Sequence, residues 1–134
     1  MVQKVRFGDL DAMQHLNNVE FLRYFETARI KYLADRLGRE HGPANRTGFG
    51  FIFGECKITY RSPAFYDEDV RTWIRPASLS RSTITLDFEM TAEGDGRILA
   101  GGYGVLVGYD YEAGESRPLP DELRERLDMF RADG

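Results

Sequence analysis

FGDLDAMQHLNNVEFLRYFETAR, residues 7–29, holds a short polar connection followed at once by a long amphipathic helix. Phe21, Phe25, Ala28 and Tyr32 recur at spacings of four, three and four, one apolar stripe of a helix expected over 18–37. Its start is marked: Asn17 can cap the N3 amide, and Glu20, three residues on, can reach back as in a capping box. Gly38 reads as the stop, with Lys31, Arg36 and Arg39 placing positive charge near the carbonyl end. Such a stripe must be buried, and the rest of the chain offers mainly strands to bury it.

Upstream, Val2 to Phe7 reads as a short strand, and downstream 39–50 reads as a loop. In 51–61 the alternation puts Ile52, Cys56, Ile58 and Tyr60 on one face and Glu55, Lys57, Thr59 and Arg61 on the other. In 69–75, Val70, Thr72 and Ile74 alternate with Arg71, Trp73 and Arg75. In 81–91, Ile84, Leu86, Phe88 and Met90 share a face. Gly94-Asp95-Gly96 is a hairpin turn. The strand 97–109 has apolar or small residues on both faces, which makes it central, and its glycines predict close approach by another backbone, most simply the helix. Pro120 opens a last helix carrying Leu123, Leu127 and Phe130. The expectation is one α+β domain over 1–134, an antiparallel sheet of about five strands wrapped around one long helix, with a short C-terminal helix.

Composition narrows the function. The 134 residues are 42% hydrophobic, 30% charged and 13% aromatic, an ordinary globular balance. The net charge of −4 argues against a nucleic-acid binder. No apolar run is long enough to span a bilayer, no secretory signal opens the chain, and the single cysteine fits a reducing compartment. A cytoplasmic location is therefore expected. Two histidines far apart in sequence, His15 and His41, with one cysteine give no zinc pattern, and Asp9, Asp11 and Glu20 fail as a calcium loop because Met13 and Gln14 fill positions that need a ligand and a glycine. No metal or cofactor is expected.

The densest polar group, Asp9, Asp11, Gln14, His15, Asn17 and Asn18, lies at the mouth of the helix. Unpaired amides and the positive end of the dipole there suit an oxyanion, and a carboxylate opposite them can act as base or nucleophile on a carbonyl. The plainer reading of Asp11 is a turn former, and of His15 a polar contact that holds the loop. Glu26 and Arg29, at i and i+3, read as a surface ion pair. Arg61 and Arg81 read either as solvated cations or as partners for phosphates. Cys56 falls on the apolar face of its strand and reads as core.

These residues carry a resemblance. Asp9-x-Asp11, then His15-x-Asn17-Asn18, then Tyr24-Phe25-Glu26-x-Ala28-Arg29 resembles the opening motif of hotdog-fold acyl-CoA thioesterases of the 4-hydroxybenzoyl-CoA thioesterase-like group. ITYRSPAFYDEDV (58–70) resembles that group's strand and turn before its third strand, and PLPDELRERL (118–127) its ending. The resemblance implies a hotdog fold, assembly as a homodimer or a dimer of dimers, and hydrolysis of a thioester between an acyl group and coenzyme A. It implies Asp11 as the catalytic carboxylate and the backbone amide near Asn18 as the group that polarises the carbonyl, with His15 beside them. Asn17, Gln14, Arg61 and Arg81 are the expected substrate contacts. Glu26 stays in reserve, because another hotdog branch uses a helix carboxylate. The pattern departs at Gln14, where the group commonly has glycine. Two other functions remain open at this point: a thioesterase acting on acyl carrier protein, and a non-catalytic module that binds acyl-CoA.

Overall fold

The computed structural model describes residues 1–37 and 49–133. Strand β1 (Val2–Lys4) is followed by one 3-10 turn (Phe7–Asp9), helix α1 (Asn18–Leu37), and strands β2 (Phe49–Tyr60), β3 (Asp69–Leu79), β4 (Thr83–Ala92), β5 (Ile98–Asp110) and β6 (Glu115–Ser116). Helix α2 (Asp121–Asp133) closes the chain. The strands form one antiparallel sheet in the order β1-β3-β4-β5-β2, with the two-residue β6 also pairing with β5. The sheet curls around α1, the hotdog arrangement. No described helix is long and apolar enough to cross a membrane.

The helix stripe is buried as its spacing predicts, except that Tyr32 is only half-buried. Phe21, Phe25 and Ala28 are buried, and Tyr24 and Leu33 join them. Phe25 stacks on Phe88 of β4 with ring centroids 4.1 Å apart. One core cluster gathers Phe21, Tyr24 and Phe25 against Val70, Met90, Leu99 and Ala100. A second, at the other end, joins Leu33 to Ile84, Leu86 and Leu106 and to Leu119, Leu123 and Leu127 of the α2 region. Fully burying one such side chain is worth about 1.5–3 kcal/mol, so the stripe is a principal stabiliser of the sheet's curl. The expected helix stop at Gly38, the positive charge of Arg39 and the loop up to Gly48 lie outside the described residues, as does the side chain of Phe130.

β5 is interior, between β4 and β2. Its glycines make room, but chiefly not for the helix backbone. A Cβ on Gly102 would fall 1.8 Å from the Lys57 carbonyl oxygen of neighbouring β2, and one on Gly104 would fall 2.9 Å from the Phe25 ring. The close backbone approach is therefore strand to strand, and the helix contributes an aromatic side chain.

Three expectations are corrected. The first strand ends at Lys4, and Phe7 enters the 3-10 turn and is exposed. In β2, Ile52 is not on the core face and is 39% exposed. A bulge between Phe53 and Glu55 inserts Gly54 and shifts the alternation by one, so Phe51 and Phe53 turn inward together with Cys56 and Ile58. β3 does not stop at Arg75. It runs to Leu79 because a second irregularity between Pro76 and Ser78 absorbs the proline.

Candidate active site

The connection before α1 folds by bonding to itself. The Asp11 amide donates to the His15 carbonyl (2.8 Å) and the Gln14 amide to the Asp11 carbonyl (3.0 Å). The side-chain Oδ1 of Asp11 accepts from the amides of Met13 (2.9 Å) and His15 (3.3 Å), the turn-forming use of an aspartate. Its Oδ2 has no hydrogen-bond partner among the described residues. Gln14 sits in this turn with φ of 65° and an exposed side chain. This backbone conformation favours glycine, which gives a physical reason for glycine at that point of the motif.

The helix start is capped, with one difference from the expected box. Asn17 Oδ1 accepts from the Val19 amide (3.0 Å), the second helical amide rather than the third, and Glu20 pairs instead with Arg23 at 3.6 Å. The Glu20 amide donates to the Asn17 carbonyl (2.8 Å). The Asn18 amide, the first of the helix, has no acceptor among the described residues. The Asn18 carbonyl accepts from the Tyr60 hydroxyl of β2 (3.1 Å), which pins the first turn to the sheet.

These groups line one groove of about 420 Å³, walled by Asp11, Met13, His15, Leu16, Asn17, Asn18 and Phe21 on one side and Tyr60, Arg61, Ser62 and Pro63 on the other. Five of the seven expected site residues therefore meet: Asp11, His15, Asn17, Asn18 and Arg61. The Arg61 side chain is exposed and makes no ion pair among the described residues, while its amide is tied to the Leu99 carbonyl (2.8 Å). Gln14 borders the turn without lining the groove. Arg81 lies in the β3–β4 turn, where its carbonyl accepts from the Leu119 amide (2.8 Å). That turn flanks Val107 and Gly108, roughly 20 Å along β5 from the groove, so one chain does not bring Arg81 to the site. Tyr60, Ser62, Pro63 and the aromatic neighbour Phe65 were not singled out from sequence as site residues, although they fall inside the 58–70 motif.

Asp9, two residues from Asp11, faces the other way. It is 5% exposed. The Tyr24 hydroxyl donates to its Oδ2 (2.7 Å), and Arg6 donates from its backbone (3.2 Å) and guanidinium (3.3 Å). Burial pushes the Asp9 carboxyl up, but the bonds from Tyr24 and Arg6 outweigh burial and hold it below the usual value. Burial and the Asp9 charge together drive the Tyr24 phenol well above its ordinary range.

Glu26 is half-buried on α1 and outside the groove. The expected ion pair with Arg29 does not form among the described residues. The Arg29 guanidinium lies over the Phe53 ring, 4.6 Å from its centroid, and burial pushes its pKa down. Cys56 is half-buried, and burial pushes its thiol up, away from a reactive thiolate. Among the described residues no three of His, Cys, Asp and Glu are grouped to hold a metal ion.

Comparison with known proteins bears on the family and the fold. A family model described as the thioesterase-like superfamily matches residues 5–127. The long-chain acyl-CoA thioesterase FadM of Escherichia coli (strain K12) is 28% identical over 127 residues, 95% of each chain. A thioesterase of Thermus thermophilus, solved in complex with coenzyme A and Zn, is 32% identical and superposes with a TM-score of 0.80 over 98% of this chain and 94% of that one. The 1,4-dihydroxy-2-naphthoyl-CoA thioesterase Slr0204 of Synechocystis, 17% identical, shares the fold with a TM-score of 0.82 over 96% of this chain and 93% of its own.

Proposed function

The chain belongs to the thioesterase-like superfamily, and from that premise we propose that it hydrolyses an acyl-CoA thioester to the free acid and coenzyme A, each subunit being one domain over 1–134. The observation that carries this reading is a single groove in which a carboxylate with one free oxygen meets an unbonded helix-start amide. Oδ1 of Asp11, held by two amides, fixes the carboxylate plane, and Oδ2 is left for chemistry. In the general-base route Oδ2 takes a proton from water, and the hydroxide adds to the thioester carbon. The developing oxyanion is stabilised by the Asn18 amide and the positive end of the α1 dipole. The tetrahedral adduct then expels the coenzyme A sulfur, which recovers the proton from Asp11. In the nucleophilic route Oδ2 adds directly, the thiolate leaves, and water hydrolyses the resulting anhydride. His15 borders the reacting atoms, Asn17 holds the free amide in place by capping, and Arg61 is available to a phosphate of the substrate. Neither route uses a metal or Cys56.

β2 supports assembly as a homodimer or a dimer of dimers. Among the described residues it is paired only with β5, which leaves a 12-residue edge open there. Met13 in the groove wall, Val19 next to Asn18 and Phe65 against His15 are exposed and make an apolar rim for a second copy to cover. The lone cysteine fits a cytoplasmic location. The test is coenzyme release across a panel of acyl-CoA and acyl carrier protein thioesters, with and without EDTA. Turnover of acyl-CoA that survives the chelator supports the reading. Binding of every acyl-CoA without turnover refutes hydrolysis, and activity lost to EDTA and restored by zinc or magnesium refutes the metal-free route.

A further inference from the structure

The groove wall opposite the helix is itself braced by a residue far away in sequence. Arg97 follows the β4–β5 hairpin turn, and its guanidinium reaches the turn after β2. Nη2 donates to the Pro63 carbonyl (3.1 Å) and to Glu68 Oε1 (2.7 Å), and Nη1 pairs with Asp95. Glu68 Oε1 also accepts from the Phe65 amide (2.8 Å), so one carboxylate oxygen joins Arg97 to the backbone that carries Phe65. The guanidinium carbon lies 5.6 Å from the Phe65 ring centroid. The Phe65 ring in turn meets the His15 ring edge to face, with centroids 5.5 Å apart. The adjoining backbone is anchored to the site as well, because the Leu16 amide donates to the Ala64 carbonyl (2.7 Å). Arg97 Nε is buried without a partner, so this pose is kept at the cost of one unsatisfied donor.

We propose that Arg97 is a positioning residue for the groove: it clamps the 63–68 turn and, through Phe65, fixes the attitude of the His15 ring beside Asp11. A fork of donors is needed to hold Pro63, Glu68 and Asp95 together while covering an aromatic face, which a lysine cannot do. Among the described residues the Arg97 side chain hydrogen-bonds a single groove residue, Pro63, at its carbonyl, so its effect on catalysis passes through the wall it supports. The kinetic part of this inference rests on the proposed thioester hydrolysis; the placement of His15 does not.

The experiment combines a spectroscopic and a kinetic measurement on the full chain. The two histidines allow the His15 imidazole Cε1–H resonance to be assigned by its persistence in His41→Gln. Arg97→Gln is expected to move that resonance in the same direction as Phe65→Leu while the melting temperature stays near that of the parent, and Arg97→Lys is expected to restore it only in part. In the acyl-CoA assay Arg97→Gln should lower kcat/KM about tenfold, mostly in kcat, and have no further effect in a His15→Ala background. If Arg97→Gln does not fold, Glu68→Gln, which keeps an acceptor for the Phe65 amide but loses the charge facing Arg97, is read in its place. A His15 resonance unmoved by the folded variant overturns the proposal. A full tenfold loss that persists in His15→Ala also overturns it, since Arg97 would then act on substrate or on the fold directly. If the parent hydrolyses no acyl thioester, the functional reading fails, and the resonance alone decides whether Arg97 places His15.

Discussion

Asp9 and Asp11 stand two residues apart on one connection and have opposite surroundings. Asp9 points into the core, where Arg6 and Tyr24 occupy both of its oxygens. Asp11 points into the groove, where two backbone amides share one oxygen and the other is open. The local chain explains the split: two residues of one extended segment at a separation of two would face the same way, but Asp9 and Asp11 belong to two different turns joined by the extended Leu10. The 3-10 turn closes on Asp9, and the Asp11–His15 loop begins only after Leu10. One carboxylate is bonded into the fold, and the other keeps an oxygen open to the groove. A group whose bonds are all satisfied has nothing left to offer a substrate, whereas a half-satisfied group is both oriented and available.

This contrast sets expected effects on stability, the largest at Asp9. Asp9→Ala removes charge-assisted bonds and leaves the Tyr24 hydroxyl buried with only a long 3.4 Å approach to the Lys4 carbonyl. It should cost about 3 kcal/mol in urea unfolding, with turnover of the remaining folded protein close to that of the parent. A loss below about 0.5 kcal/mol would break the contrast from the structural side. The pH dependence sharpens it. The folded-state pKa of Asp9 is lowered, so its contribution is fully present above the unfolded carboxylate value of about 4 and disappears as pH falls through the lower folded value. The stability gap between the parent and Asp9→Asn should therefore be constant from neutral pH down to about 4 and shrink below it. A gap that widens on acidification would contradict the assignment. The smallest effect belongs to Gln14. Its left-handed backbone costs about 1 kcal/mol, part of which glycine's entropy takes back, so Gln14→Gly should be neutral or stabilising by less than about 1 kcal/mol. A clear loss of stability would mean that the glutamine side chain makes a contact that holds the loop.

How much of this was legible in sequence follows from the range of the interactions. The α1 stripe, the place of the Asn17 cap and the alternation of β4 are local patterns, and they appear in the structure where the spacing puts them, although Asn17 bonds the Val19 amide and not the third helical amide. The gathering of Asp11, His15, Asn17 and Asn18 was legible because they sit on one short connection. Ile52 was misassigned because a single inserted residue at Gly54 reverses every face upstream of it, although a glycine inside a strand is a signal for such a bulge. The bracing of the groove was not legible. Arg97 meets Glu68 across 29 residues and Pro63 across 34, and only the sheet order brings them together. Arg81 shows the converse: its residue type suited a phosphate contact, but the hairpin carries it to the other end of the sheet.

The division of labour is tested most directly by the turnover of Asp11→Asn on the best acyl-CoA, measured beside Asp9→Asn in the same buffer. Asparagine at 11 keeps the shape and the acceptor that the turn uses and removes only the charge. The open Asp11 oxygen predicts that kcat falls by roughly 10²–10⁴ in Asp11→Asn with substrate binding and melting temperature little changed, while Asp9→Asn turns over near the parent rate. Asp11→Asn hydrolysing at close to the parent rate while Asp9→Asn does not would contradict it.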